Sequence, residues 1–228
     1  MTPFHLNHQE AAAAQIYRHL RREIVTTGLL PGLCLSEKEM SASLGVSRQP
    51  VREAFIKLAE ARLVEIRPQR GTFVTKISAK TVEDSRFVRE ALELAVLDAL
   101  TAGAPEDFIA AQRECIARQR EAAASDDHET FLAFDEDFHK AFATAIGREH
   151  VWRIIENDKA QWDRVRFLTL PEVSPMPGLA DQHEAILDCI AHGDIPGAKT
   201  AMRTHLREAL ATLPLVRAQY PDLFEVQS

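Results

Sequence analysis

The sequence predicts a mainly α-helical protein in two parts: an N-terminal winged helix-turn-helix with a small β-hairpin wing, and a C-terminal all-α antiparallel helical bundle. Three observations predict this fold. Two helical patterns flank a glycine turn, a β-prone hairpin follows them, and the rest of the chain shows helical periods. The 228 residues are enough for two modest domains, which we place at residues 1–78 and 79–228.

Charge is divided unequally between these two parts. The whole chain has a net charge of −7, which is unusual for a protein that binds nucleic acid. Residues 1–78, however, carry 11 Lys and Arg against 7 Asp and Glu, a net of +4, whereas the remainder carries 16 against 27, a net of −11. Basic charge is therefore concentrated where DNA phosphates would be met, and the acidic part is expected to face away from DNA.

A first helix is predicted from about Gln9 to Thr27. Ile16, Leu20 and Ile24 recur at intervals of four and form one apolar row, as expected for a helix with one buried face. Gly28 follows and favours the end of the helix.

A second, shorter helix follows Leu35. Ser36 is a good N-cap, and Glu39 three residues later completes a capping-box pattern. Gly45 suits the left-handed position that ends a helix, and the next helix begins two residues later. A helix, a short glycine turn and a second helix are typical of a helix-turn-helix.

The third helix, over about Ser47–Leu63, has the pattern of a recognition helix. Ser47 can cap it, and Pro50 lies in the first turn, where a missing N–H costs little. Its apolar face consists of Val51, Ala54, Phe55 and Leu58. Arg48 and Arg52 project together from another face and could reach bases and phosphates. Taken alone, this arginine pair is equally compatible with a solvated helix face.

A wing is predicted directly behind this helix. Two β-prone runs, 63–67 and 72–76, flank a turn of proline, glutamine, arginine and glycine. Arg67 and Arg70 make the hairpin tip basic, and Gly71 would let the backbone turn tightly and approach DNA.

The rest of the chain reads as a bundle of about six helices with no convincing strand. Their expected ranges are 80–102, 105–124, 127–146, 148–170, 179–193 and 195–211. No apolar run approaches the roughly 18 residues of a membrane span, and the N-terminus lacks a signal-peptide pattern. The three cysteines are widely spaced and form no CxxC pair, so we expect free thiols in a reducing cytoplasm.

The bundle contains a candidate metal site. Asp135 and His139 are four residues apart on one helix face, while His183 and His205 lie on two later helices. One carboxylate and three imidazoles could converge in the bundle on a divalent transition metal such as Zn²⁺, Ni²⁺ or Mn²⁺. The ordinary alternative is that these histidines are surface or hydrogen-bonded residues, and that the Asp/His pair is only a helix contact.

Residues from about 10 to 76 resemble the winged helix-turn-helix of the GntR family of bacterial transcription regulators. The strings that carry the resemblance are LSEKEMSASLGVSRQPVREAFIKLAEARLV and RGTFV. Gln49 departs from the small hydroxyl residue of many relatives, which puts the sequence preference in doubt. The resemblance implies that the operator is contacted by Lys38, Arg48 and Arg52, and from the wing by Arg70 and Gly71. Gln49 is expected as an additional contact.

Residues from about 80 to 212 resemble the FCD effector domain of the FadR-type branch of that family. The matching strings are FVREALELAV, FDEDFHKAFATAIG, DQHEAILDCIAHGD and AKTAMRTHLREAL. The metal ligands of this branch correspond to Asp135, His139, His183 and His205. Arg89 matches a position that lines the ligand cavity, although an ion pair with Glu93 is its ordinary alternative. Arg164 or Arg166 is a further candidate for binding an acidic effector.

These patterns together predict a cytoplasmic transcription regulator, a repressor rather than an enzyme. We expect a homodimer that binds a palindromic operator in double-stranded DNA and responds to a small organic or sugar acid held in the bundle. Two alternatives stay open: a winged-helix regulator whose bundle only dimerises, and a metal-dependent enzyme.

Overall fold

The computed structural model describes residues 4–7, 9–100, 104–169 and 175–226. The N-terminal region contains three helices and three short strands in the order expected for a winged helix-turn-helix. These elements are α1 (Ala12–Val25), β1 (Cys34–Leu35), α2 (Glu37–Leu44), α3 (Arg48–Glu60), β2 (Val64–Arg67) and β3 (Gly71–Val74). The predicted fold class is confirmed.

The apolar rows predicted for α1 and α3 form the core of this region. The side chains of Ile16, Leu20 and Ile24 on α1 are fully buried and pack with the apolar face of α3. That face consists of Val51, Ala54, Phe55 and Leu58. Burying a large apolar side chain contributes about 1.5–3 kcal/mol, so this contact fixes the position of α3 while its opposite face stays exposed.

The turn between α2 and α3 has the predicted backbone geometry. The Glu39 amide donates to Ser36 Oγ at 3.4 Å, and Gly45 adopts φ = 67°, in the left-handed region. Ser47 occupies the N-cap position of α3 in an extended conformation. Within the described chain, however, the Ser47 hydroxyl accepts no capping hydrogen bond, so that detail of the prediction is wrong.

The wing is a three-stranded antiparallel sheet with the order β1-β3-β2. In the β2–β3 hairpin, Val64 pairs with Val74 and Arg67 with Gly71, which confirms the predicted hairpin. Strand β1 pairs with the other edge of β3, which is therefore the central strand of the sheet. Sequence periodicity missed β1 because a two-residue strand is too short to show alternation.

The structure divides into two compact units that differ from the predicted domains. The first contains Met1–Val82 together with Asn157–Arg164 and Arg217–Ser228, and the second contains Glu83–Glu156 and Val165–Val216. The first unit, which we call the head, therefore extends beyond residue 78 and includes two segments from later in the chain.

Both later segments contact the chain next to the wing, either just before β2 or just after β3. Gln161 donates its side-chain N–H to the Arg62 carbonyl at 2.6 Å, and Arg164 Nη1 donates to the Thr75 carbonyl at 2.9 Å. On the C-terminal segment, Phe224 forms an isolated parallel bridge with Ile77. Both of these apolar side chains are almost completely buried.

The second unit, which we call the bundle, consists of helices. The remaining helices of the chain are α4 (Ala79–Asp98), α5 (Glu106–Ala124), α6 (His128–Ala145), α7 (Glu149–Asp158), α8 (Ala160–Thr169), α9 (Met176–Ala191) and α10 (Ile195–Gln219). A 3₁₀ turn, Pro221–Leu223, follows α10. The first four residues of α4 and part of α8 belong to the head, and α10 ends in it.

Two helix predictions differ from the structure. The single helix expected over 148–170 is two helices, α7 and α8, separated at Lys159. The last helix extends beyond residue 211 to Gln219 and includes Pro214. Residues 101–103 and 170–174, which include the predicted ends of two helices, lie outside the described residues.

The core of the bundle lies among its helices and contains Leu97, Phe138, Phe142, Ile186 and Leu206. Helix α5 packs against both α6 and α9. In the described part of the chain, no helix combines the length and apolar character needed to cross a membrane.

Candidate metal centre and nucleic-acid interface

Four side chains meet inside the bundle. Asp135 and His139 come from α6, His183 from α9 and His205 from α10, and all four are buried. Each offers one ligand atom, and these atoms all lie within 4.8 Å of one another. The structure thus brings together the carboxylate and three imidazoles that the sequence analysis selected.

The pattern of α6 explains why two of these polar groups point inward. Phe131, Asp135, Phe138, His139 and Phe142 follow one another at steps of one, three or four residues and are all buried. The phenyl rings anchor this face in the core, and the ring of Phe138 stacks on that of His183 with centroids 4.3 Å apart. Apolar packing therefore holds Asp135 and His139 in the interior.

The three imidazoles face one another through the same ring atom. The Nε2 of His205 lies 3.2 Å from the Nε2 of His139 and 3.2 Å from the Nε2 of His183. Because all three Nε2 atoms converge, a single ion could bind to them.

Each imidazole has a polar partner on its other nitrogen. His139 Nδ1 lies 2.5 Å from Glu93 Oε2, His183 Nδ1 2.7 Å from Gln119 Oε1, and His205 Nδ1 2.7 Å from Gln182 Oε1. In the sequence, Glu93 is recognisable only as a possible partner of Arg89, and nothing marks Gln119 or Gln182 as partners of the histidines. Gln182 precedes His183 directly, but its contact is with His205, so no local spacing could have identified it.

Asp135 is a buried carboxylate with unused acceptor capacity. Arg166 Nη2 lies 2.6 Å from its Oδ1. Nevertheless, among the described residues neither Asp135 oxygen accepts a hydrogen bond of acceptable geometry. A buried polar atom without a hydrogen bond is costly, and a metal ion is one group that would satisfy it. The residues present therefore fit a divalent cation.

The protonation states also suit metal binding. Burial lowers the pKa of His183 to about 3 and holds the pKa of His205 well below its usual value. Burial alone would raise the pKa of Asp135, but the positive charges around it, of which Arg166 is the strongest, together outweigh burial and hold that pKa well below its usual value. Neutral imidazoles and an ionised carboxylate are the ligating forms of these groups.

Arg89 and Arg166 lie beside this centre. Arg89 Nε donates to Glu93 Oε1 at 2.5 Å, which is the ion pair that the sequence offered as the alternative to effector binding. Burial would raise the pKa of Glu93, but the charges of Arg89 and His139 outweigh it and lower that pKa to about 2. Arg89 thus contacts the partner of a candidate ligand, and Arg166 contacts the ligand Asp135 itself.

The structure places Arg164 elsewhere. It belongs to the head, where its buried guanidinium donates to the Thr75 carbonyl. Burial lowers the pKa of Arg164 to about 10. This contact gives Arg164 a structural role, while its assignment to effector binding stays a prediction.

The candidate DNA-binding side chains lie on the exposed face of the helix-turn-helix. Lys38 on α2 and Arg48, Gln49 and Arg52 on α3 are all exposed. Arg52 donates from Nε and Nη2 to the two carboxylate oxygens of Glu37, at 3.0 and 2.9 Å. Sequence reasoning missed this contact because Glu37 is 15 residues away and lies on another helix.

The wing tip carries the remaining candidates. Arg70 and Gly71 are exposed, and Gly71 has φ = +111°, a conformation that side chains disfavour. A Cβ at Gly71 would also lie only 2.8 Å from Cys34 Sγ. Arg67 does not extend outward, because it pairs with Glu65 and its guanidinium stacks over the ring of Phe73.

Comparison with known proteins agrees with this architecture. The sequence profile of the GntR family of bacterial regulatory proteins matches residues 12–74, and that of the FCD domain matches residues 84–208. An HTH-type transcriptional regulator in an unstable DNA locus of Streptomyces ambofaciens is 42% identical, over 92% of this chain and 88% of that protein. The HTH-type transcriptional repressor RspR of Escherichia coli is 39% identical over 96% of both chains.

Solved structures show the same fold. McbR/YncC of Escherichia coli superposes with a TM-score of 0.78 at 17% identity, covering 92% of this chain and 99% of that one. The two profiles together cover most of the chain. The GntR profile matches residues of the head, and the FCD profile matches mainly residues of the bundle. The chain therefore belongs to the GntR family, carries an FCD domain, and is a DNA-binding transcription regulator and not an enzyme.

Proposed function

We propose that this regulator is a repressor that binds a palindromic operator as a homodimer. Two heads would occupy two half-sites, with the bundles forming the dimer contact. The residues that would contact DNA are Lys38, Arg48, Gln49, Arg52, Arg70 and Gly71. Repression is supported by the name of the relative RspR, which is a transcriptional repressor. Because its target is the bacterial chromosome, we propose that the protein acts in the cytoplasm.

We further propose that the bundle binds one divalent transition metal, Zn²⁺, Ni²⁺ or Mn²⁺, through Asp135, His139, His183 and His205. The observation that carries this proposal is the grouping of four buried donor atoms within 4.8 Å. One carboxylate and three imidazoles suit these ions, and a divalent ion would supply Lewis acidity and open positions for a small ligand.

The effector of this proposal is a small organic or sugar acid. Around the centre, the negative charges of Asp135 and Glu93 are matched by the positive charges of Arg166 and Arg89. A divalent ion would therefore leave the buried site with an excess of positive charge, which favours an anion. Arg89 and Arg166 would bind the carboxylate of this acid, since a guanidinium can donate two parallel hydrogen bonds to it.

A narrow cavity, about the size of one water molecule, lies beside the centre and marks where part of such a ligand would enter. Glu93 and His139 contribute to its wall, and the other lining side chains are apolar. They include Phe142, Trp152 and Met202. An acid with a short apolar or uncharged portion matches this combination better than a highly charged one.

Regulation would then couple two equilibria. The acid binds the bundle and favours one arrangement of the two heads over another. It can change operator occupancy only by the ratio of its affinities for those two arrangements. Typical couplings of this kind are about 1–3 kcal/mol, or roughly 5–150-fold in DNA affinity.

The proposal is tested by measuring metal content and DNA binding together. DNA duplexes enriched from a random pool serve as the operator, and binding is followed by fluorescence anisotropy during titration with hydroxy acids and sugar acids. We expect gently purified protein to contain one metal ion per chain and at least one acid to change DNA affinity. His183→Ala and His205→Ala should lose the ion and the acid response but retain DNA binding. A protein without metal that ignores every acid would instead indicate a bundle that only dimerises.

A further inference from the structure

Two glutamines in the bundle each use both ends of the side-chain amide, donating from Nε2 and accepting at Oε1. Gln119 is completely buried on α5 and contacts α6 and α9. Gln182 is half-buried on α9, and both its amide nitrogen and its amide oxygen contact residues of α10, Glu208 and His205. Each amide lies between a candidate metal ligand and a group that can only accept hydrogen bonds.

The amide orientation of Gln119 is determined by the backbone. Its Nε2 lies 3.1 Å from the carbonyl oxygen of Phe134, which cannot donate. The amide must therefore present its N–H to Phe134 and its oxygen, Oε1, to His183 Nδ1, 2.7 Å away. Because Oε1 can only accept, the proton of the neutral His183 ring must be on Nδ1.

The same logic applies to Gln182. Its Nε2 donates to the carboxylate of Glu208, which when ionised can only accept. Its Oε1 therefore accepts from His205 Nδ1, 2.7 Å away. The third ring, His139, donates from Nδ1 to the carboxylate of Glu93.

The neutral rings of His183 and His205 thus both carry their proton on Nδ1, and each presents an unprotonated Nε2 to the same point. The Nε2 atoms of His183 and His205 lie 3.2 Å apart, with no proton available between them. Lone pairs at this distance repel each other, and a shared cation removes the repulsion.

We infer that Gln119 and Gln182 are positioning residues of the metal centre, which set the tautomers of His183 and His205 and direct their Nε2 lone pairs at one ion. The inference rests on the proposed metal site. It adds that the Phe134 carbonyl and the Glu208 carboxylate fix the orientation of the two amides. Each amide, in turn, fixes which nitrogen of its histidine carries the proton. Such outer partners of ligating histidines typically affect metal affinity about 10–100-fold.

The test uses full-length protein and two readouts. Zn²⁺ affinity is measured by competition with a chromogenic chelator, and the histidine tautomers are read from imidazole ¹⁵N chemical shifts in chelator-treated protein. Gln119→Leu and Gln182→Leu should each bind Zn²⁺ about 10–100-fold more weakly than the wild type. The wild type should show Nδ1–H for His183 and His205, and each variant should lose this for its own histidine.

Two controls separate positioning from general loosening of the bundle. Arg120→Met removes an exposed ion pair between α5 and α9, next to Gln119, and should leave Zn²⁺ affinity unchanged. The exchange Gln182→Glu with Glu208→Gln keeps an acceptor for His205 and an N–H···O bond between the two positions. It should restore most of the affinity lost in Gln182→Leu, and it guards against a Gln119 variant that fails to fold.

The outcomes distinguish this inference from the metal proposal. Wild-type protein that binds no divalent ion would overturn the metal site, whereas the ¹⁵N shifts would still test the tautomers. Protons on Nε2 of His183 and His205, or Gln119→Leu and Gln182→Leu proteins that bind Zn²⁺ as tightly as Arg120→Met, would overturn the positioning role.

Discussion

In the head, the candidate DNA-binding cations are exposed, whereas in the bundle the candidate effector-binding cations Arg89 and Arg166 are buried. The side chains of Arg52 and Glu37 keep 58% and 32% of their surface accessible, while those of Arg166 and Asp135 keep 8% and 0%. An exposed ion pair contributes about 0–1 kcal/mol, but removing one partner of a buried pair costs about 3–5 kcal/mol. Removing one partner of these ion pairs should therefore change stability little in the head but lower it strongly in the bundle.

The largest effect should come from breaking the buried pair. Asp135→Asn leaves the Arg166 guanidinium buried without its anion, and we expect the free energy of unfolding to fall by about 3–5 kcal/mol. The matched variant in the head, Glu37→Gln, should lose no more than about 1 kcal/mol. Urea unfolding in the presence of a chelator measures both. Equal losses in the two variants would contradict the contrast between the regions.

A second variant tests whether the C-terminal segment belongs to the head. Phe224 is buried against Ile77, so Phe224→Ala should cost about 3–5 kcal/mol and weaken DNA binding through a less stable head. The bundle should keep its Zn²⁺ affinity. Val226→Ala is the control, because that side chain is 87% exposed. Weakened Zn²⁺ binding with unchanged DNA binding in Phe224→Ala would assign the segment to the bundle instead.

A third variant concerns the backbone of the wing. Gly71→Ala combines a disfavoured φ with a contact to Cys34 Sγ, and we expect a loss of about 1–3 kcal/mol in stability. Gly32→Ala is the matched control, since Gly32 also has a positive φ, +85°, but open space around the new Cβ. It should lose less stability than Gly71→Ala. Cys34→Ala in the Gly71→Ala protein should recover the difference. Thermal melting measures all three, and no recovery would show that the steric contact is unimportant.

Replacing Arg52 should change stability the least of these variants but should clearly weaken DNA binding. Arg52→Ala should weaken operator binding by about 1–3 kcal/mol, or roughly 5–150-fold, and change stability by less than about 1 kcal/mol. Arg18→Ala removes another exposed arginine of the head, paired with Glu10, and should leave DNA affinity unchanged. Anisotropy with the enriched duplexes compares the two. Equal DNA affinities would remove Arg52 from the interface.

Local patterns predicted the parts of the molecule that depend on neighbours in the sequence. The buried rows of α1 and α3, the left-handed Gly45 and the β2–β3 hairpin all follow from spacings of two to four residues. The inward face of α6 was predicted for the same reason, because phenylalanines at helical spacing accompany Asp135 and His139.

Contacts between distant segments could not be predicted in this way. Gln119 reaches His183 across 64 positions, and Gln161 reaches Arg62 across 99. Neither glutamine stands out in its own helix, since buried amides have no periodic signature. The break between α7 and α8 at Lys159 could not be predicted either, because no proline or glycine is present there to indicate the end of a helix.

The central claim is that one ion lies among Asp135, His139, His183 and His205. Anomalous diffraction from crystals grown with Zn²⁺, recorded on both sides of the zinc absorption edge, tests it most directly. We predict one strong peak per chain within bonding distance of the carboxylate and the three Nε2 atoms. A peak located only at other residues, or no peak in protein that is folded and binds DNA, would contradict the claim.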